Sequence, residues 1–360
     1  MILLSKACGN IYGIGTIRTI FSISVVIAHS SLFLGYNIIN GIAAVQCFYM
    51  FSGFYMFMIL SEKYISTKKF YKSRFLRIYP IYFFIAIPTL LFIYLSGNFQ
   101  DIWNSADIFT KIFITLSNIC IYTQDIVMFL AVDPQNGSLY FTTRFSQEPI
   151  PLYKLLIIPQ AWTLGVELTF YILAPFLVKR KTATLFIILI LSIIIRIYAL
   201  KIGYYRDPWN YRFFPFELSL FLCGAISYRI YYKIRIKKFM DYISPIITLL
   251  LIIAILIFQF IPLELVKKLF IYYIITAISI PFIFHSSRNS KIDRAIGELS
   301  YPIYIIHISI IWILYYFFNS YMEILNKKQL LCVPVIILSI LFSILINKYI
   351  QRPIDNMRRR

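Results

Sequence analysis

Residues 243–261 read ISPIITLLLIIAILIFQFI, nineteen consecutive positions without a charged side chain. At 1.5 Å per residue such a run makes a helix of roughly 28 Å, close to the depth of the hydrocarbon core of a bilayer. Comparable runs recur along the whole chain, and ten can be drawn: 14–34, 42–60, 79–97, 159–178, 183–200, 213–231, 243–261, 268–286, 298–319 and 330–349. Of the 360 residues 60% are hydrophobic and only 14% charged, where a soluble domain carries roughly 25% charged residues. A water-soluble globular protein is thereby excluded. The composition predicts an all-α membrane protein, a bundle of about ten transmembrane helices forming one domain over 1–360. The first run follows Lys6 and imitates a signal peptide, but no small-residue cleavage site leads into a soluble domain, so it reads as a retained first helix.

The formal charge of +20 comes without the polar, Gly-rich or aromatic-basic stretches of a nucleic-acid arm, so a nucleic-acid partner is not expected. Sidedness explains it better, because Lys and Arg concentrate in cytoplasmic loops. With the N-terminus inside, 23 cations fall on the cytoplasmic side, among them Lys6, Lys63, Arg74, Arg77, Arg294 and Arg352. Ten fall outside, including Lys111, Arg206 and Arg212, while Arg18 and Arg196 lie within the apolar runs. Both termini are therefore expected in the cytoplasm, with the bundle in the inner or plasma membrane. Five cysteines, Cys8, Cys47, Cys120, Cys223 and Cys332, form no Cys-x-x-Cys pair, and only Cys120 is expected outside. Neither a disulfide framework nor a metal site is expected.

The one long connection, about 98–158, is predicted to be external. Its apolar segments 112–121 and 126–132 suggest either a piece dipping into the membrane face or the core of a folded loop. Trp103, Trp209 and Tyr79 near the ends of the runs fit interface anchors.

Ionisable groups at membrane depth are costly and mark functional candidates. The candidates are Arg18, His29, Glu167, Arg196, Glu217 and His307, with His285 near a predicted cytoplasmic end. Arg18 and His29 are eleven residues apart, which at 100° per residue is three turns plus about 20°, so both face the same way roughly 16 Å apart along the axis. A snorkelling anchor and a packed, hydrogen-bonded imidazole are the structural alternative. Arg74 and Arg77 sit one helical turn apart at a membrane entrance, a fork that suits phosphates and equally suits positive-inside anchoring. Ser300, Tyr304 and His307 fall on one helical face, fit to line a polar cavity or to form an interhelical hydrogen-bond stripe.

Taken together and in order, these residues resemble the acyltransferase 3 family of integral membrane proteins over nearly the full length. Arg18 through His29 looks like its Arg-x10-His signature, and Phe48-Tyr49-Met50-Phe51-Ser52-Gly53-Phe54 resembles its Phe-Phe-x-x-Ser-Gly-Phe element. Arg74 with Arg77 matches the Arg-x-x-Arg pair. The segment from Trp162 to Tyr171 is similar to Trp-Ser-Leu-x-Val-Glu-Glu-x-Phe-Tyr, and Ser300-Tyr301 through His307 looks like Ser-Tyr-x-x-Tyr-x-x-His. Leu168 replaces the family's frequent second Glu, Gln46 a frequent Asp and Gln351 a frequent Glu, so no carboxylate pair is expected at those places. No soluble hydrolase-like domain is seen in the sequence, which places the resemblance among stand-alone members.

The resemblance implies transfer of an acyl group, usually acetyl, from cytoplasmic acyl-CoA to a hydroxyl of a cell-surface glycan or lipid-linked sugar. It implies that Arg74, Arg77 and Arg18 meet the CoA phosphates. A sugar hydroxyl must lose its proton as it attacks, so His29 is assigned as general base, with a covalent acyl-His intermediate as the competing mechanism. Glu167 is expected either to orient or stabilise a protonated His29 or to make a structural hydrogen bond, and Glu217 either to serve the substrate side or to be structural. A multispan glycan transporter or polymerase, or an inactive membrane partner of the same fold, remains the alternative. The acceptor glycan and the oligomeric state are not legible.

Overall fold

One helix is apolar on every side and organises the rest. The computed structural model describes residues 13–63 and 66–359; Lys6 and Cys8 lie outside the described residues. Ten principal helices are labelled α1 (Gly15–His29), α2 (Gly41–Glu62), α3 (Thr67–Leu95), α4 (Trp162–Leu177), α5 (Thr182–Lys201), α6 (Phe214–Ile234), α7 (Phe239–Ile257), α8 (Leu265–Ser287), α9 (Ser300–Lys327) and α10 (Cys332–Ile346). α2 is the central one, with 83% of its membrane-length window buried inside the protein, whereas α5 and α7 bury only 17% and 22% of theirs. A helix hydrophobic all round belongs in a core, and one whose apolar face finds no protein turns it to lipid. Asn40 starts α2, its side-chain oxygen accepting from the amides of Ile42 and Ala43, which satisfies donors that the first helical turn leaves orphaned.

α2 and α6 meet backbone to backbone through two glycines. A Cβ on Gly53 would fall 1.9 Å from the Phe221 carbonyl oxygen, and one on Gly224 would fall 1.8 Å from that of Met50. Without a hydrophobic driving force between helices in lipid, such close approach is what lets dispersion and dipole contacts hold them. This gives Gly53, within the Ser-Gly-Phe element, a packing role.

Helices occupy all ten positions read from the sequence, but the bundle differs from the expected ten spans. Among the described residues eight helices are long and apolar enough to cross a membrane, α10 counting with its continuation as far as Met357. α1 has 15 residues and α4 has 16, short of the roughly 20 that a span requires. α3 runs the other way. It starts at Thr67, well before the span expected at 79, and carries Arg74 and Arg77 on the helix itself, since Lys and Arg are good helix formers and charge does not end a helix.

The 98–158 connection also differs from a long open loop. It contains short helices at Gln100–Ser105, Ile108–Cys120 and Gln124–Val127, then an antiparallel hairpin of β1 (Leu130–Val132) and β2 (Leu139–Phe141) with Ala131 opposite Tyr140. Buried Asn118 explains how the segment holds. Its Nδ2 donates to the Leu155 carbonyl at 3.1 Å, its Oδ1 accepts from the Ile157 amide at 2.9 Å, and its own carbonyl accepts from Tyr82 of α3 at 2.8 Å.

Candidate active site

A cavity of about 250 Å³ opens among α1, α2, α3, α4 and α9. Arg18, Lys63, Arg74, Arg77 and Arg294 line it, together with the carboxylates of Glu167, Glu298 and Asp355. Apart from Arg18, these cations belong to segments that the charge tally assigns to the cytoplasm. Phe48, Thr163 and Tyr304 also line the cavity. The arginine pair, Arg18, Glu167, Ser300 and Tyr304 are thus brought into one space from sequence positions up to about 290 residues apart.

Arg18 is held there by the way α1 begins. The carboxylate of Asp293, in the short helix Lys291–Gly297, accepts from the Gly15 and Thr16 amides at 2.8 Å each, placing negative charge where the helix dipole favours it. Thr19 donates to the Ile296 carbonyl and Ser22 to that of Ser300, both at 2.8 Å. A Cβ on Gly297 would sit 2.4 Å from the Gly15 Cα, so only glycine allows this close contact. One helical turn in, Arg18 lies within electrostatic range of Arg77, Tyr55, Glu167 and Tyr171. Arg74 is buried, with its guanidinium 5.9 Å from the Phe70 ring centroid.

Glu167 makes the interhelical hydrogen bond that was one of its two expected roles. Its Oε1 accepts from Ser52 Oγ and from Tyr171 OH, both at 2.5 Å, so its hydrogen-bonding partners lie on the cavity wall facing Arg18. It is not the partner of His29. α4 is backed by Asp125: a Cβ on Gly165 would fall 2.8 Å from Asp125 Oδ1. Burial pushes the Asp125 carboxyl up to about 7, only partly offset by backbone amides.

The partner of His29 is His307. His29 Nδ1 lies 2.8 Å from His307 Nε2, and the rings are nearly parallel at 4°. His307 is fully buried, and its Nδ1 lies 2.8 Å from the Tyr304 carbonyl oxygen. A carbonyl can only accept, so His307 Nδ1 carries the proton and its Nε2 presents a lone pair. His29 Nδ1 must then be the donor between the rings. In the neutral pair the unprotonated nitrogen of His29 is Nε2, on a side chain that is exposed. Neither histidine lines the cavity, and His307 lies about one helical turn past Tyr304 on α9. The Tyr304 hydroxyl accepts from Thr163 at 3.0 Å and donates to the Gln160 carbonyl at 3.2 Å.

A family model for an acyltransferase domain matches residues 11–348. The chain belongs to the acyltransferase 3 family. No curated protein and no solved structure matches it significantly. The protein is accordingly a membrane acyltransferase.

In this acyltransferase Glu217 stands apart from the cavity lining. Gln46 Nε2 donates to both of its carboxylate oxygens at 2.9 Å, and Arg196 approaches Oε1 at 3.4 Å. Gln46 in turn accepts from Tyr273. The carboxylate is fully buried, and this network ties α2, α5, α6 and α8 together. Sequence reasoning missed a second cluster beside the histidines. Arg212, tallied only as an external cation, is clamped by Asp207 and lies against Trp162 and Tyr211.

Proposed function

We propose that this acyltransferase moves an acetyl or other short acyl group from cytoplasmic acyl-CoA to a hydroxyl of a cell-surface glycan or lipid-linked sugar, in the inner or plasma membrane with both termini cytoplasmic. The observation that carries the reading is the hydrogen-bond chain from His29 through His307 to the Tyr304 carbonyl. It leaves His29 Nε2 as a lone pair on an exposed ring, the state a general base needs. The cationic cavity supports the donor side: Arg18, Arg74 and Arg77 present planar donors to the CoA phosphates. The pantetheine arm then passes Tyr304 toward the histidines.

The acceptor oxygen attacks the thioester carbon as its proton passes to His29 Nε2. The C–S bond breaks, and CoA thiolate takes that proton as it leaves. Ser300 and Tyr304 line the donor's path, His307 positions the base, and Glu167 offsets charge beside Arg18.

The test is incubation of the purified protein with labelled acetyl-CoA and glycan acceptors, followed by detection of the ester. Base catalysis contributes about 10² to 10⁴ in rate, so His29→Ala is expected to lose at least ~100-fold while still inserting normally. Near-normal turnover by that variant would sink the assignment, and an accumulating acyl-His29 would replace base catalysis with the covalent route.

A further inference from the structure

Arg212 ends the short helix Trp209–Arg212 that precedes α6. Its Nε donates to Asp207 Oδ1 at 2.5 Å and its Nη2 to Oδ2 at 2.9 Å, with Tyr211 OH a further 2.6 Å contact. The guanidinium carbon is 4.2 Å from the Trp162 ring centroid, 4.6 Å from that of Tyr211 and 5.5 Å from that of Phe145. Held on one edge by a carboxylate and on its faces by rings, this fork cannot turn. Its remaining nitrogen, Nη1, is buried without a hydrogen-bond partner among the described residues. An unsatisfied buried charged donor is expensive and calls for an explanation.

The surroundings supply one. Trp162 precedes Thr163, which donates to the Tyr304 hydroxyl at 3.0 Å, and the Tyr304 carbonyl anchors the His307–His29 chain. Arg212 lies within electrostatic range of both His29 and Tyr304. A rigid guanidinium with one N–H unpaired, within electrostatic range of a general base, has the charge and the free donor that stabilise charge developing on a substrate oxygen.

We propose that Arg212 is a catalytic residue whose Nη1 donates to the oxyanion formed when the acceptor hydroxyl attacks the thioester. This rests on the acyl-transfer reading of the histidines. The acceptor oxygen bonds to the acyl carbon, its proton passes to His29 Nε2, and the carbonyl π pair moves onto oxygen facing Arg212. Collapse returns that pair to the carbonyl, breaks the C–S bond and releases CoA thiolate, which takes the proton from His29. Asp207 is a positioning residue that aims the fork.

The experiment compares Arg212→Gln and Arg212→Lys in full-length protein reconstituted in nanodiscs, with CoA binding confirming a folded donor site. Two rates are read: acyl transfer to glycan, and the slow transfer from acetyl-CoA to water without any acceptor. The glutamine variant is expected to lose about 10²- to 10³-fold in kcat for both reactions, with KM for acetyl-CoA unchanged. Lysine, which keeps charge but not the planar fork, should recover part of it. Should the glutamine variant not bind CoA, the lysine variant decides alone, by whether both rates fall together. Loss confined to the acceptor's KM with water transfer intact would make Arg212 an acceptor-binding group and overturn the proposal, as would both rates staying within threefold. A dead His29→Ala beside a fully active Arg212→Gln sinks only this proposal, whereas an active His29→Ala sinks the base reading beneath it.

Discussion

Replacing His307 by Phe removes two hydrogen bonds, the one Nδ1 donates to the Tyr304 carbonyl and the one Nε2 accepts from His29. Phe fills the same buried space and keeps a flat ring against His29, but it has no lone pair where Nε2 accepts the proton of His29 Nδ1 at 2.8 Å. That proton is then left without its partner, a penalty of about 1–3 kcal/mol for a buried donor. His29 can escape it by moving the proton to Nε2 or by turning the ring. Either response removes the lone pair from the position that meets the acceptor hydroxyl. A penalty of that size corresponds to roughly 5- to 150-fold, and the loss should appear in kcat because the donor cavity is untouched. His307→Gln provides the counter-test, since its amide oxygen reaches about as far as Nε2 and can accept. The assay is acyl transfer from acetyl-CoA by purified protein, followed as release of CoA thiol, with kcat and KM separated and single-turnover rates confirming that chemistry limits. Expected is a ranking of wild type, then Gln, then Phe, with KM for acetyl-CoA constant. Equal rates for Gln and Phe, or a Phe variant as fast as wild type, would refute the tautomer argument and leave His307 a packing residue.

Arg74→Ala and Arg77→Ala should each raise KM for acyl-CoA by about 10-fold or more, the loss of one charge-assisted hydrogen bond to phosphate, with kcat little changed and Lys only partly restoring affinity. CoA binding measured by calorimetry checks this, and unchanged affinity in both variants returns the pair to membrane anchoring. Asp125 gives a pH dependence of stability. Its carboxyl is held up to about 7 in the fold, against about 4 when unfolded, so between those values the folded state keeps a proton that the unfolded state has released. Melting temperature should therefore fall as pH rises through that window and level off above it, and Asp125→Asn should flatten the slope. Gly53→Ala should cost at least about 1–3 kcal/mol by overpacking, because the new methyl would meet the Phe221 carbonyl at 1.9 Å; an unchanged melting temperature would contradict the contact between α2 and α6.

Hydropathy finds helices because lipid demands apolar side chains at every exposed position, but it counts side chains and not backbone geometry. The run 14–34 includes Leu32, Phe33 and Leu34, yet α1 ends at His29: Phe33 pairs with Tyr36 in a tight bridge, and Leu34 and Gly35 take positive φ of 50° and 83°. Apolarity alone cannot separate these from a further helical turn. Arg18, Arg74 and Arg77 were legible as members of ordered motifs, and the cavity gathers them. The pairing of His29 with His307 was not, since 278 residues separate them and each looked like an independent candidate. The two expected roles of Glu167 stayed open for the same reason: α4 could be read as a helix, but its contact with α2 depended on Ser52, a hydroxyl common in any such bundle. Arg212 was invisible because its role comes from Asp207 and Trp162 folding onto it.

Two of the short helices, α1 and α4, carry residues to which the proposed function gives a role. α1 holds Arg18 and His29, and α4 begins with Trp162 and Thr163 and carries Glu167. Fifteen residues rise only about 22 Å, roughly 7 Å less than the hydrocarbon thickness, so the ends of α1 cannot both reach the headgroups. Non-helical backbone at that depth is tolerated only where protein buries it or where it borders a polar cavity. The 3₁₀ turn Pro159–Ala161 before α4 meets this condition: Gln160 donates to the Ile305 carbonyl at 2.6 Å, and its own carbonyl accepts from Tyr304. The eight longer helices support a barrier of ordinary thickness, inside which α1 and α4 make a thinner one. On the proposed reading, with donor and acceptor arriving from opposite faces, that shortens the path the thioester must travel from the arginines to His29.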